Sequence, residues 1–231
     1  MINDVKLVAC AFVLLTLTTL ASAQQPTAQQ RAAELKASMA KSQVVLRHYE
    51  WIETTTVSLK GEEKSKTVNR CYYGEDGKIA KVPVAAPPPE EKKRGIRGRI
   101  IENKKEELAD YMHDAVTLCK TYIPPDPARL DASRDAGKLS LQILEPGKRI
   151  RLSFGDYLKT GDSLSLDVAL DGTRLLQAAV KSFLDSDPVD LQINFGTLRD
   201  NAATYPANIV LDAPGKKLKV MVENAGYRKT E

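Results

Sequence analysis

Few residues of this sequence could carry out chemistry, and their spacing argues against a catalytic site. There are 2 histidines, His48 and His113, and neither has a second histidine, cysteine or carboxylate at the spacing of a metal site. His113 lies near Asp114 and Cys119, which suggests a thiol-based site. However, neighbours along a helix do not face each other, and the side chains of His113 and Cys119 would point well apart. We therefore expect His113 to be a partly exposed helix histidine.

The sequence also lacks the motifs of nucleophilic, metal-dependent and phosphate-binding enzymes. We expect a non-enzymatic protein with no catalytic residue, no metal ligand and no cofactor. The net charge is +4 and aromatic residues make up 6% of the chain. Such a mixed, mildly basic composition gives no reason to expect a nucleic-acid partner.

Two cysteines, Cys71 and Cys119, need separate interpretation, and the sequence leaves two alternatives open. In an oxidising export compartment Cys71 and Cys119 can form a disulfide, which would stabilise the fold by about 4 kcal/mol in the chain-entropy model. Alternatively, they are two separate buried thiols. The sequence does not decide between them, because a disulfide requires Cα atoms within about 7 Å.

One cluster of basic residues stands out after a run of three prolines, Pro87 to Pro89. It contains Lys92, Lys93, Arg94, Arg97 and Arg99. One interpretation is a patch for anionic lipid headgroups, to which each basic residue would contribute about 1 kcal/mol. Glutamates interleave with the cluster and reduce its field, so a solvated linker is the favoured interpretation.

The amino terminus predicts export. An uncharged run from Leu7 to Ala21 follows Lys6 and ends in small residues, which is typical of a secretory signal cleaved after Ala23. We therefore expect residues 1–23 to be removed and the protein to be periplasmic or secreted. Cys10 also fits a lipoprotein signal, but most of the apolar run follows it, so we interpret it as an ordinary leader residue. No transmembrane segment is expected in the mature chain.

The elements that position any site begin with a helix and a small meander. Apolar residues recur at helical spacing from Gln30 to Leu46, and the period changes to two at Tyr49. The pattern then predicts strands over 49–59, 67–73 and 78–84. A proline-rich, charged linker over 85–99 and a helical insertion over 100–137 follow, because Pro124-Pro125 ends a long amphipathic helix and Asp126-Pro127 begins a short one.

The rest of the chain predicts an antiparallel meander. From Leu139 onward, and most clearly from Ser163 to Tyr227, apolar and polar residues alternate between turn signals such as Asp171-Gly172. This period places the apolar side chains on one face of a sheet. About three helices are available to cover that face, so what else covers it becomes the functional question.

The order of these elements, with a Tyr-x-Trp-x-Glu strand formed by Tyr49, Trp51 and Glu53, resembles the periplasmic lipoprotein-carrier superfamily with the LolA/LolB-like fold. The resemblance implies an α+β fold, in which a strongly curved antiparallel sheet forms an incomplete barrel covered by about three helices. Residues 24–231 would make one domain around an apolar cavity. The residues implied to line or cover this cavity are Trp51, Val57, Met112, Ala115, Leu166, Val180, Ile193, Ile209 and Val220.

Two hypotheses from different classes follow. The leading hypothesis is an exported, non-enzymatic binding protein whose apolar site takes lipid or lipoprotein acyl chains. The alternative is a structural or assembly module of the cell envelope, in which the core is filled by its own side chains and an edge strand or the basic linker docks to an envelope protein partner. Trp51 fits both, as a core anchor or as part of an open trough.

Overall fold

The computed structural model describes residues 28–84, 96–170, 174–199 and 201–230, with side chains described in these ranges apart from 28–32 and 96–105. The helices are α1 (Ala28–Leu46), α2 (Ile96–Lys120) and α3 (Pro127–Asp135). The strands are β1 (Tyr49–Leu59), β2 (Glu62–Tyr73), β3 (Ile79–Pro83), β4 (Leu139–Glu145), β5 (Arg149–Gly155), β6 (Ser163–Ala169), β7 (Leu175–Leu184), β8 (Asp187–Thr197), β9 (Thr204–Ala213) and β10 (Leu218–Lys229).

All the described strands belong to one 10-stranded sheet in the order β3-β2-β1-β10-β9-β8-β7-β6-β5-β4. Every neighbouring pair is antiparallel. β3 and β4 lie at the two edges and do not pair with each other, so the sheet is open. The α+β fold predicted from the sequence, an unclosed antiparallel sheet with helices on one face, is confirmed.

The alternation of apolar and polar residues places matching side chains in rows across the strands. One row joins nine strands in register: Leu139, Phe154, Leu164, Val180, Leu191, Leu211, Val220, Val57 and Ser65. The next row contains Leu141, Leu152, Leu166, Ala178, Ile193, Ile209, Val222, Thr55 and Thr67. Because the side-chain period of a strand is two, both rows lie on the same face of the sheet. We call it the inner face.

The helices cover the middle of the inner face. α2 packs on β7, α3 on β5, and α1 on β9 and β1. The main core contains Ala115 and Cys119 of α2, and Tyr122 just after it, together with inner-face residues of β5 to β9. A second, smaller core at the end of α1 contains Leu46 and Tyr49. The predicted amphipathic helix therefore buries its apolar stripe against the sheet, as its spacing indicated.

Polar contacts of buried residues fix the end of α2 to the sheet. The Tyr122 hydroxyl donates to an Asp162 carboxylate oxygen at 2.6 Å and lies 2.8 Å from the Ser182 hydroxyl. The Asp162 carboxylate also accepts hydrogen bonds from the backbone amides of Leu158 and Lys159. The helix end is thus held by satisfied polar groups, which a buried site requires.

The caps of α3 form as the sequence predicts. The Asp126 carboxylate accepts a hydrogen bond from the backbone amide of Ala128 at 2.9 Å, and Pro127 occupies the first turn. Such a cap satisfies one of the free amides at a helix start. The backbone amide of Asp126 donates to the Tyr157 hydroxyl at 2.7 Å, so the same cap connects the helix to the core.

Two element boundaries differ from the sequence prediction. α2 begins at Ile96, inside the segment expected to be a linker. β2 begins at Glu62, because Lys60 and Gly61 adopt positive φ angles and turn the chain tightly enough for pairing to resume at once. Cross-strand pairing to β1 therefore extends a strand whose exposed, charged start gives no apolar signal. The predicted signal peptide with Cys10, the segment 85–95 and the Asp171-Gly172 turn lie outside the described residues.

Candidate functional site

Burial along the inner face decreases from its centre toward β1. In the first row, Leu164 and Val180 are completely buried, and Leu191 and Leu211 nearly so. Further along, a group of residues on β9, β10 and β1 is only half-buried: Thr55, Val57, Ile209, Val220 and Val222. We call these five residues the trough. It is the part of the inner face that adjoins the core and that is only partly covered.

The residues implied by the family resemblance divide between these two regions. Val57, Ile209 and Val220 lie in the trough. In contrast, four other residues of the implied cavity pack in the main core: Ala115, Leu166, Val180 and Ile193. The helix therefore fills the centre of the sheet with its own side chains. Met112 is half-buried on α2.

Trp51 belongs to an aromatic group at the end of the trough nearest α1. Its ring stacks on Tyr227, with centroids 5.4 Å apart and planes 11° apart, and it contacts Tyr73 at 5.7 Å. Tyr205 completes the group through Tyr227. A register shift between Glu50 and Ile52, opposite the positive-φ Gly226, marks a β-bulge beside this group. Such bulges change the direction in which nearby side chains point. Burial raises the pKa of the Tyr73 and Tyr227 hydroxyls, so both stay neutral.

A polar group separates this aromatic end from the trough. Glu53 is 8% exposed, and the ammonium group of Lys81 on β3 lies 2.6 and 2.8 Å from its two carboxylate oxygens. Asn224 lies opposite Glu53 on β10 and is also buried. The site thus has an apolar floor and one polar end. The sequence alone does not single out this polar end; its one signal is that Glu53 occupies an inner-face position in the strand alternation.

Cys71 and Cys119 are free thiols in this structure, so the disulfide alternative is not what the structure contains. Cys71 pairs with Trp51 across β1 and β2, whereas Cys119 lies on α2 and faces the main core. Burial raises the pKa of Cys71, and it raises the pKa of Cys119 to about 11. Both are therefore neutral at physiological pH, a state that lowers thiol reactivity.

The remaining candidate features do not form a site among the described residues. No group of three or more His, Cys, Asp or Glu side chains there could hold a metal ion. No helix in the same ranges is long and apolar enough to cross a bilayer. The basic cluster is outside the side chains that the structure describes: Lys92, Lys93 and Arg94 precede α2, and Arg97 and Arg99 lie in its first turn.

A surface depression of about 510 Å³ lies at the opposite end of β1 and β10. Its lining is mainly polar and charged, and includes Lys60, Asp212, Lys217 and Lys219. It is separate from the trough, and its lining does not match the apolar surface that typically dominates a site for a hydrophobic ligand.

Two solved structures are similar to this chain over most of its length. One is a LolA superfamily protein from Nitrosomonas europaea, with 8% identity and a TM-score of 0.37, covering 85% of this chain and 94% of that one. The other is a DUF1329 family protein from Desulfovibrio piger, with 9% identity and a TM-score of 0.38, covering 86% of this chain and 92% of that one. No protein-family model and no curated protein matches the sequence.

A LolA superfamily structure is thus among those similar to this chain. At these identities and TM-scores, neither likeness assigns a ligand or an activity. The trough, its aromatic end and its polar end are features of this chain's own residues.

Proposed function

We propose that this chain is an exported, non-enzymatic binding protein that holds the acyl chain of a lipid or lipoprotein in the trough. The observation that supports the proposal is the decrease in burial along the inner face, from the filled core at Val180 to half-buried Val57 and Val220. Covering such apolar surface contributes roughly 25 cal/mol per Å². An acyl chain lying along β1 and β10 would supply that cover.

The polar end of the trough favours an amphiphile over a pure hydrocarbon as the ligand. The Glu53 and Lys81 ion pair lies at one end, and the Lys81 side chain is half-exposed, so a polar head group could remain solvated there. The strand from Glu53, at the polar end, to Leu59 extends about 20 Å at the usual rise per residue. This length accommodates an extended acyl chain with its head group at the polar end.

A binding experiment on the mature chain tests the proposal. Brominated fatty acids quench nearby indoles, and Trp51 is the only tryptophan, so quenching reports ligand at one known position. We expect saturable quenching by a brominated long-chain fatty acid, accompanied by a rise in melting temperature. Lipid extraction from natively purified protein, followed by mass spectrometry, should recover a bound amphiphile.

Adjacent residues of β10 provide a matched pair of variants. Val220 faces the trough and Met221 faces the other side of the strand, where it is exposed. Val220→Lys should weaken binding at least about tenfold, because it places a charge on the apolar floor, while Met221→Lys should bind as the wild type does. Val57→Phe, which fills the trough without adding charge or a second indole, should also weaken binding and guards against a folding defect in the first variant. Equal binding by all three variants and the wild type would refute the trough as the site.

The alternative function is a structural module of the cell envelope. The filled centre of the inner face favours it, since Ala115 of α2 packs directly among the sheet residues. Under this alternative the trough is a shallow surface of the fold. The protein would then neither carry lipid when purified nor gain stability from added fatty acid.

A further inference from the structure

The two edges of the sheet are protected to different degrees. β3, at one edge, has five residues, with Lys81 in the strand and Pro83 at its end. β4, at the other edge, has seven residues and is uncharged from Leu139 to Leu144. Natural proteins usually block an exposed edge with a charge, a proline or a short strand, because its free backbone groups can pair with another strand. β3 has all three of these features, whereas β4 has no charge or proline before its final residue.

β4 also exposes apolar side chains on the inner face. Leu141 is 61% exposed and Ile143 is 62% exposed. They continue the rows of the core, since Leu141 pairs with half-buried Leu152 and Ile143 with buried Ile150 on β5. Single exposed apolar residues are common on protein surfaces. Here two of them lie on the same face of an edge that no described strand pairs with, so a strand added beside β4 would cover both and form hydrogen bonds with the backbone groups of the edge.

We propose that the occupant of this edge is a second copy of the chain, paired β4 to β4 in antiparallel orientation about a two-fold axis near Leu141. This register places Leu141 beside its own equivalent and Leu139 beside Ile143 of the second copy. All inner-face positions of the pair are then apolar, and the sheet continues through both copies. A symmetric contact of this kind uses the same patch twice and closes at a dimer.

Charge at the strand ends supports the antiparallel arrangement. Lys138 precedes β4 and Glu145 ends it. An antiparallel pair brings Lys138 of each copy, whose ammonium group also contacts Asp156 of its own chain, toward the Glu145 end of the other, whereas a parallel pair would bring like charges together. Opposite charges across neighbouring strands are stabilising and like charges are destabilising. The segment from Lys138 to Glu145 is thus self-complementary in its charges as well as in its apolar pattern.

A single strand pair buries less area than the roughly 1,200 Å² of a stable interface. The dimer should therefore be weak and depend on concentration. Sedimentation velocity of the full mature chain between about 1 µM and about 1 mM should show the average mass rising toward that of a dimer. A mass that stays at the monomer value throughout would overturn the proposal and leave the edge to a different partner.

Leu141→Lys places two like charges directly opposite each other at the two-fold axis, so it should weaken self-association at least about tenfold. Because Leu141 is exposed, the monomer should keep its fold. Val82→Lys is the matched control, since Val82 is 39% exposed on the opposite edge strand, and it should dimerise as the wild type does. Undiminished association of Leu141→Lys would contradict the proposal.

A cross-linking experiment tests the register. In an antiparallel pair, directly opposed Cβ atoms are about 5 Å apart. Leu141→Cys should therefore form a disulfide-linked dimer under mild oxidation, and Val82→Cys should not, the native Cys71 and Cys119 being buried. Equal cross-linking of both variants would show random collision and refute the two-fold pairing. The proposal is independent of the trough, so Leu141→Lys should bind the brominated fatty acid normally.

Discussion

The indole N–H of Trp51 donates a hydrogen bond to the side-chain oxygen of Asn224 at 3.0 Å, joining the first strand to the last across 173 residues of sequence. The amide nitrogen of Asn224 donates in turn to the backbone oxygen of Pro206 on β9 at 2.8 Å. Asn224 therefore connects β1, β10 and β9 at the aromatic end of the trough. All of the polar atoms in this chain of contacts have a partner, which a buried polar group requires to be stable.

Asn224→Ala should lower the free energy of unfolding by about 1 to 3 kcal/mol, because the Trp51 N–H and the Pro206 carbonyl would each lose a buried partner. Urea denaturation followed by Trp51 fluorescence would measure the change. Asn208→Ala is the control, as Asn208 is exposed on β9, and it should stay within about 0.5 kcal/mol of the wild type. If both substitutions lowered the free energy of unfolding equally, the hydrogen bonds of Asn224 would contribute no more to stability than an exposed side chain does.

The ion pair between Glu53 and Lys81 leads to a prediction about non-additivity. Lys81→Ala leaves the Glu53 carboxylate buried without its cation, which should cost more than the loss of an exposed pair. Adding Glu53→Gln to this variant should recover part of the lost stability, because an amide is less costly to bury than an unpaired charge. Chemical denaturation of the two single variants and the double variant would measure the coupling. If the two effects simply add, the pair is not coupled.

Much of this fold could be predicted from the sequence, because the alternation of residues from Leu139 to Tyr227 is locally encoded. A period of two fixes which side chains face the helices, and a shift by one residue would turn all of them to solvent. The caps of α3 were predictable for the same reason, since Asp126 and Pro127 act within one turn. The family resemblance also implied Val57, Ile209 and Val220 as cavity residues; they are half-buried on the inner face, and their contact with a ligand stays a prediction.

The features that the sequence could not supply depend on contacts between distant residues. Val180 and Val57 occupy the same row of the inner face. Val180 is buried and Val57 is half-buried because α2 covers only part of the sheet. Similarly, the contact of Trp51 with Asn224 depends on β1 pairing with β10, which no local pattern specifies. The start of β2 at Glu62 follows from pairing rather than from propensity, so an alternation rule placed it too late.

The state of the cysteines leads to a prediction about thiol chemistry. Since Cys71 and Cys119 are buried and free, the native mature protein should react slowly with a thiol reagent at pH 8. After unfolding in urea without a reductant, both thiols should react. If the protein instead contained a disulfide, neither thiol would react in urea until a reductant was added. Mass spectrometry of the alkylated peptides would distinguish the two results.

The raised pKa of Cys119 leads to a prediction about how stability changes at alkaline pH. Its pKa is raised from 9.0 to about 11 by burial, so above pH 9 the unfolded chain loses the proton that the folded chain keeps. The free energy of unfolding therefore falls as pH rises from 9 to 11, by about 1.4 kcal/mol for each unit. Cys119→Ala removes this contribution, and its stability should decline less steeply in that window.

Tyr122 and Tyr227 must be separated from the effect of Cys119, because burial raises the pKa of both hydroxyls as well. Their proton loss on unfolding lowers stability above pH 10 in the wild type and the variant alike. The informative quantity is therefore the difference between the two proteins in urea midpoint from pH 8 to pH 11. That difference should narrow as pH rises, since the wild type alone loses the Cys119 contribution. A constant difference would mean that Cys119 ionises equally easily in the folded and unfolded chain.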